Sequence, residues 1–595
     1  MRTRGGVVRL TAASVAALLV LGACGGSDDG DGDGDRPMGS NDNLDTGGAT
    51  GDARDPDREG PVTIEGAEEG GIVRLISQTP LETMDPSEAY YTHTAAILGG
   101  LVTRSLTQYV YDPETGTPIL VPDLATDLGT SNEDYTEWSF TIREGIKYEN
   151  GTPVTMEDIK FGLERTMDTT TFPESPGFYS QDYYAGGADY QGPYTGDGAT
   201  LDSIAIDANT VTVTMAKPFP DMPYWMAFPA NGPIPQGEQS DPAKYRTHPL
   251  ATGPYMFDAY TPKKALTLVR NPHWDPATDP GRTAYPDGYE MDFTVPSEQV
   301  DELLLNDQGD AKNSMTIDDV LGSNYRKFLD QAGDRVVAGT SPCTRYWAMD
   351  YRKITDVRVR QALAFAYPYS AAIKAGGNIE GVNRIVGTNL LPPGTPGRTE
   401  YEPLGVPAGT TDPEQSLQLL KEAGAEGFEI TFLYATDDPA SVAAKDAIVN
   451  GLEEGGFKAS PVPSTLENLT TVREDPNADI NVRAGAWCAD WPSGGSWFPP
   501  LLRTENLEEL GQISQNWSVF SEKDVDDRIE EILSLPVDEQ PAAWNELDEF
   551  ISRMYFPHFV TTYDGSVWAH GSNVNGAYSD VVLGMPTFKN IHLTQ

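Results

Sequence analysis

The chain has 595 residues, more than one hydrophobic core organises, so at least two domains are expected. Hydrophobic residues at 38%, with 10 Trp, 27 Tyr and 19 Phe, suffice to build packed cores and exclude disorder throughout. The 90 acidic against 41 basic residues give a formal charge of −49 with no compensating basic stretch, which excludes nucleic acid as a partner.

In chain order, Arg2, Arg4 and Arg9 precede an apolar run from Leu10 to Leu21 that is too short to span a bilayer. The run ends in small residues, as a processed export signal does, so residues 1–23 read as a signal peptide. Leu21-Gly22-Ala23-Cys24 resembles the bacterial lipobox, in which the Cys thiol receives the lipid; Cys24 is the expected lipidation site. Without an Arg-Arg pair, the general secretory route is favoured. Residues 25–69 carry 14 Asp or Glu against 3 Arg and few large apolar side chains, so 24–69 reads as an unordered acidic tether.

From Gly70 the chain turns globular. The apolar run Ile72 to Ile76 suits a buried strand, and Trp138, Phe140 and Ile142 alternate with polar residues as a half-buried strand does. Asn150-Gly151 marks a turn. Thr155 with Asp158 three residues on predicts a capped helix whose face is Met156, Ile159, Leu163 and Met167. Further helices are predicted from Asp356 through Phe365, over 412–423 and 441–452, and around Val525, Ile529, Ile532 and Leu533, with a strand at 429–434. The mixture gives an α/β or α+β chain in more than one lobe.

No phosphate loop, H-E-x-x-H pair or G-x-S-x-G elbow occurs, and the six His are scattered singly, so no catalytic residue, metal or cofactor is assigned. The constellation that stands out is Arg483 to Pro500, with three Trp, one Phe and a single carboxylate, Asp490. Aromatic walls around one acid suit a small amphipathic ligand whose ammonium Asp490 neutralises. The same residues also suit a core in which Asp490 caps a turn, and sequence physics leaves both open.

Several ordered blocks resemble the extracytoplasmic solute-binding proteins of family 5, the peptide and nickel binders of ABC importers. They are WSFTIREGIKYENGTPVTMEDIKFGLERTMD (138–168), ATGPYMFDAYTPKKALTLVRNPHW (251–274), TDVRVRQALAFAY (355–367) and TNLLPPGTPG (388–397). CTRYWAMD (343–350) and WCADW (487–491) bring the likeness nearest to the oligopeptide-binding branch. The resemblance implies a two-lobe α/β fold of the periplasmic-binding-protein kind, with a hinge and an extra subdomain on lobe I. Mapped here, lobe I covers 70–345 with the subdomain at about 116–200, lobe II covers 346–562, and 563–595 returns to lobe I.

The resemblance further implies a Cys343–Cys488 disulfide and an extended peptide held between the lobes, its amino group on Asp490. Trp487 matches a pocket aromatic, with Trp491 of the same segment a further candidate contact. Tyr90 and Thr92 match a lobe I strand that contacts the ligand backbone, while Tyr179 (or Phe178), Tyr255 and Tyr563 are additional candidates. Arg483 corresponds to the family's Arg, but the extra Ala486 shifts it by one residue on a strand, leaving Arg473 as a substitute for a peptide carboxylate. Around Ala440 and Leu466, larger pocket side chains of the family are replaced.

The implied function is a monomeric, lipid-anchored binding protein on the extracytoplasmic face of the cell membrane that delivers oligopeptides to an ABC permease. A receptor of the same fold for a non-peptide amine or signal is the alternative. A secreted hydrolase lacks a nucleophile, and nickel as cargo lacks a ligand cluster.

Overall fold

In the computed structural model the described residues are 54–595, apart from 82, 112–117, 196–199, 505–506, 508–514 and 595. The signal segment, Cys24 and the first part of the acidic tether lie outside the described residues. Among the described residues no helix is long and apolar enough to cross a membrane.

The run Ile72–Ile76 becomes a strand whose Val73 and Leu75 are fully buried. It lies parallel to both Gly288–Asp292 and Ser314–Met315, inside a five-stranded sheet completed by the antiparallel strands Ala265–Arg270 and Tyr255–Thr261. Ile97, Leu98 and Leu101 pack on this sheet, making the core of the first lobe. Residues 54–69, expected within the tether, run along this lobe instead. Arg54 bridges to Leu120, the Arg58 Nε–H donates to the Pro280 carbonyl at 3.3 Å, and the Ile64 N–H donates to the Tyr285 hydroxyl at 2.9 Å. The reading from apolar content misses this segment because main-chain and guanidinium hydrogen bonds fasten it, not buried area.

The subdomain forms around Glu137–Thr141, where the period-2 pattern buries Trp138 and Phe140. This strand pairs with Thr130–Ser131 on one side and with Thr210–Thr214, then Ile204–Asp207, on the other. Helix Met156–Arg165 covers the sheet with Ile159 and Leu163 wholly buried and Met167 just beyond its end. Its start is a reciprocal capping box: Thr155 Oγ1 accepts the Asp158 N–H at 3.1 Å and Asp158 Oδ2 accepts the Thr155 N–H at 2.9 Å. The shared core runs from Leu106 to Met226, so the unit is larger than the expected 116–200. The hairpin 204–214 belongs to it, because it pairs with Glu137–Thr141 and supplies Ile204, Val211 and Val213 to the same core.

In the second lobe, Asp356, Asp412 and Asp438 cap the helices Val357–Ala366, Pro413–Ala423 and Pro439–Glu454 through their side chains. Strand Glu429–Ala435 lies parallel to Lys458–Ser464, and helix Lys523–Leu533 buries the expected apolar face. Two long antiparallel strands, Val336–Met349 and His558–Ala569, join the lobes. Val567 and Ala569 pack with Val300, Leu304 and Phe328 of the first lobe, whereas Trp347, Met349 and Phe559 enter the core of the second. Pairing between the two strands is interrupted between Thr340 and Thr344, a bulge that bends the ladder between the two cores.

One buried ion pair fixes the segment leading to Tyr90. Arg165, at the end of the capped helix, donates to Asp85 Oδ1 at 2.5 Å, to Asp85 Oδ2 at 2.8 Å and to Ser87 Oγ at 2.5 Å, and neither charged side chain is exposed. Asp85 also accepts the Ser87 N–H at 3.0 Å, starting the short turn that presents Tyr90. An Arg165→Met substitution leaves Asp85 buried without its cation and is expected to lower unfolding stability by about 3–5 kcal/mol in urea titration. A loss below about 1 kcal/mol contradicts this role for the pair.

Candidate functional site

Strand Val482–Cys488 is the edge of the sheet that joins the lobes. It pairs antiparallel with Val336–Met349 so that Cys488 stands opposite Cys343, and the two are joined in a disulfide across 145 positions of sequence. Beyond Cys488 the chain leaves the sheet and crosses to the first lobe. There Trp491 is buried in the subdomain core, its indole N–H donating to Asp221 Oδ2 at 2.7 Å and its ring 4.8 Å from that of Tyr179. Trp487 is held on the other side by its own indole N–H, which donates to the Ser496 carbonyl at 2.9 Å.

Asp490 is thus suspended between a disulfide-tied strand end and an inserted Trp. The Tyr90 hydroxyl donates to its Oδ1 at 2.8 Å, and the Tyr179 hydroxyl donates to its Oδ2. Both tyrosines come from the first lobe, Tyr179 on the helix Phe178–Tyr183. Burial pushes the Asp490 carboxyl up to about 6, against the downward pull of the two tyrosine hydroxyls. Burial and the nearby carboxylate raise the Tyr90 hydroxyl far above its ordinary value, so it remains a donor at neutral pH.

This carboxylate opens onto a cleft of about 680 Å³ between the lobes. Tyr90, Thr92, Asp318 and Asp319 line it from the first lobe, and Trp487 and Asp490 from the second. Beside Tyr90 and Asp490 lies a smaller chamber of about 80 Å³, walled by Ala95, Ala96, Phe228, Pro229 and Leu583. Asp318, Asp319 and the chamber residues escape sequence reasoning: they come from separate segments and carry no motif.

The other candidate residues fall elsewhere. Thr92 is the first residue of a helix, Thr92–Ile97, and Tyr90 sits on the preceding turn, so neither belongs to a strand as expected. The strand Ile72–Ile76 ends well before that point, and the turn Pro86–Glu88 comes between. Tyr255 is core, its hydroxyl donating to the Pro286 carbonyl at 2.9 Å. Tyr563 is a buried residue of the crossing strand His558–Ala569, its hydroxyl donating to the Asn389 carbonyl at 3.0 Å and accepting from Arg398 at 3.1 Å. Phe178 is 44% exposed and meets Tyr90 edge-on at 5.9 Å. Ala440 and Leu466 are exposed and do not line the cleft.

Arg473, the expected substitute, does not line the cleft, and neither does Arg483, whose side chain was expected to turn away. Arg473 lies over the Trp517 ring at 4.2 Å and donates to the Ala484 carbonyl at 3.5 Å. Arg483 is fully buried, donating to Asp350 Oδ2 at 2.9 Å and, through Nε, to the Arg473 carbonyl at 2.8 Å. The reason differs from a flipped face. Arg483 and Trp487 share the same parity on their strand, but Arg483 lies four residues deeper, opposite Ala348, roughly 13 Å along the ladder.

The model of the bacterial extracellular solute-binding proteins, family 5 Middle, matches residues 120–508. The periplasmic oligopeptide-binding protein OppA of Escherichia coli (strain K12) is 25% identical over 394 residues, covering 63% of this chain and 68% of that protein. The glutathione-binding protein GsiB of Shigella dysenteriae is 21% identical over 502 residues, covering 83% and 89%. Among solved structures, the clavulanic acid biosynthesis oligopeptide binding protein 2 superposes with a TM-score of 0.79 at 23% identity, covering 93% of this chain and all of that one. The unliganded open form of the murein tripeptide binding protein MppA gives 0.72 at 21% identity, covering 90% and 98%. The two-lobe architecture, the bulged crossing strands and the match over most of the body lead to one assignment: the chain belongs to the bacterial extracellular solute-binding proteins of family 5.

Proposed function

We propose that this protein captures oligopeptides in the interlobe cleft and delivers them to the permease of an ABC importer, working as a monomer anchored through Cys24 on the extracytoplasmic face of the membrane. The observation that carries the reading is Asp490, a carboxylate on the cleft wall whose hydrogen-bond partners are two neutral tyrosines and no cation. A peptide ammonium supplies the missing charge through charge-assisted hydrogen bonds. The edge strand Val482–Cys488 ends two residues before Asp490 and offers main-chain groups to an extended ligand, the sequence-tolerant part of recognition. Relatives named for binding oligopeptides, D,D-dipeptides and glutathione support peptide-like cargo.

Closure follows from the same contacts. Tyr90 and Tyr179 of the first lobe meet Asp490 of the second, so a ligand held there favours the closed arrangement, with the bulged crossing strands as the hinge. A second reading, a receptor for a non-peptide amine, draws on the position of Arg473 and Arg483 outside the cleft: among its described lining residues there is no guanidinium for a peptide carboxylate.

Asp490→Ala is expected to weaken binding of a peptide identified from a library by about 2–5 kcal/mol in calorimetric titration, and unchanged affinity contradicts the site. The pH dependence has a defined sign. An ammonium pairs with the ionised carboxylate, and Asp490 ionises at about 6, so affinity is highest near pH 7, falls as pH drops through about 6, and falls again above about 8 as the peptide's α-ammonium loses its proton. Between pH 7 and pH 5 the loss from Asp490 is about tenfold, and Asp490→Asn removes that component.

A further inference from the structure

The cleft has a second anionic position, on the first lobe. Asp318 and Asp319 follow the strand Ser314–Met315 and line the same cavity as Asp490. Asp318 is committed: it accepts the Ser77 hydroxyl at 3.0 Å and the Gln78 N–H at 2.6 Å. Asp319 lines the cleft and accepts the Val567 N–H at 2.7 Å through Oδ1. That bond fixes the carboxylate on the crossing strand that joins the lobes, so its position follows the hinge rather than a loose loop.

Positive charge only partly balances this wall: burial pushes the Asp319 carboxyl up to about 6, outweighing the downward pull of the Arg384 guanidinium. Among the described lining residues there is no Lys or Arg, and His93 is driven toward its neutral form by burial, against the opposing pull of Asp318. Arg345 and Arg384 line a separate cavity of about 130 Å³ and both pair with Asp564, at 2.6 and 3.2 Å, while Arg282 and Lys589 line the small chamber beside Asp490 rather than the cleft itself. A cavity with carboxylates contributed by both lobes and no Lys or Arg among its described lining residues attracts positive groups and penalises a ligand carboxylate brought near it.

We infer that the cleft selects cationic peptides: besides the α-ammonium on Asp490, the preferred cargo carries a Lys or Arg side chain that Asp319 receives. The inference rests on the peptide reading above and adds a charge requirement to it. Asp319 acts as a specificity-determining residue, since main-chain pairing alone does not distinguish side chains.

The test is calorimetric titration of the full chain with penta-alanine and with two series in which one Lys or one Glu replaces each alanine in turn. The best Lys peptide is expected to bind about tenfold tighter than penta-alanine, and the Glu peptides more weakly than it. In Asp319→Asn, whose amide oxygen still accepts the Val567 N–H, the ratio between the Lys peptide and penta-alanine is expected to fall toward one. Equal binding of the Lys and alanine peptides, or a Lys advantage that survives in Asp319→Asn, overturns the inference while leaving the peptide reading intact. If no peptide binds but 1,5-diaminopentane does, with affinity lost in Asp319→Asn, the peptide reading fails and the two-anchor cleft stands. Failure of both ligand classes overturns both.

Discussion

Asp490 is a partly desolvated carboxylate on the cleft wall whose described hydrogen-bond partners are two tyrosine hydroxyls and not a cation. Such a group is costly to keep ionised, which is why its proton is held to about 6. Much of the surrounding structure serves to hold it there. The Cys343–Cys488 disulfide ties the strand that leads to it, Trp491 inserts into the opposite lobe just after it, and the Arg165–Asp85 pair sets the turn that presents Tyr90. A single position therefore couples three things: the charge of a ligand, the contact between the lobes, and the packing of the subdomain.

The distribution of positive charge makes the cleft possible. The chain has only 41 basic residues, and several arginines are spent inside the protein. Arg104 and Arg282 form a buried network with Asp123 and Asp279, at 2.7 Å for Arg104–Asp123 and 2.9 and 3.1 Å for Arg282 with Asp123 and Asp279. Arg483 pairs with Asp350, and Arg360 donates to the carbonyls of Ile354, Tyr555 and Phe556. Buried pairs of this kind contribute little net stability against an apolar replacement, yet breaking one is expensive, so their members are unavailable for ligand. The cleft is left to carboxylates, hydroxyls and aromatic faces.

Local features were legible in the sequence because their causes are local. The period-2 pattern at Trp138 and Phe140, the Thr155–Asp158 capping box and the Asp356 and Asp412 caps involve residues within a few positions of each other, and each appears in the structure. Asp490 stood out through its aromatic neighbours. Its partners did not, since Tyr90 lies 400 positions away and Tyr179 lies 311 away, and only the three-dimensional crossing of the chain joins them. The same distance hid the fate of Arg483, whose partner Asp350 is 133 positions removed, and the attachment of residues 54–69 to Pro280 and Tyr285. Tyr255 and Tyr563 show the complementary difficulty: an aromatic hydroxyl satisfied in the core looks, in sequence, like one waiting for a ligand.

The central claim is that this cleft holds peptides, and the most direct measurement is native mass spectrometry of the chain as purified without added ligand, followed by denaturation and sequencing of what is released. The account predicts a heterogeneous set of short peptides, with a mass spread that reports their length. Release of one defined non-peptide compound contradicts it, keeping the two-lobe fold while moving the cargo to another chemical class.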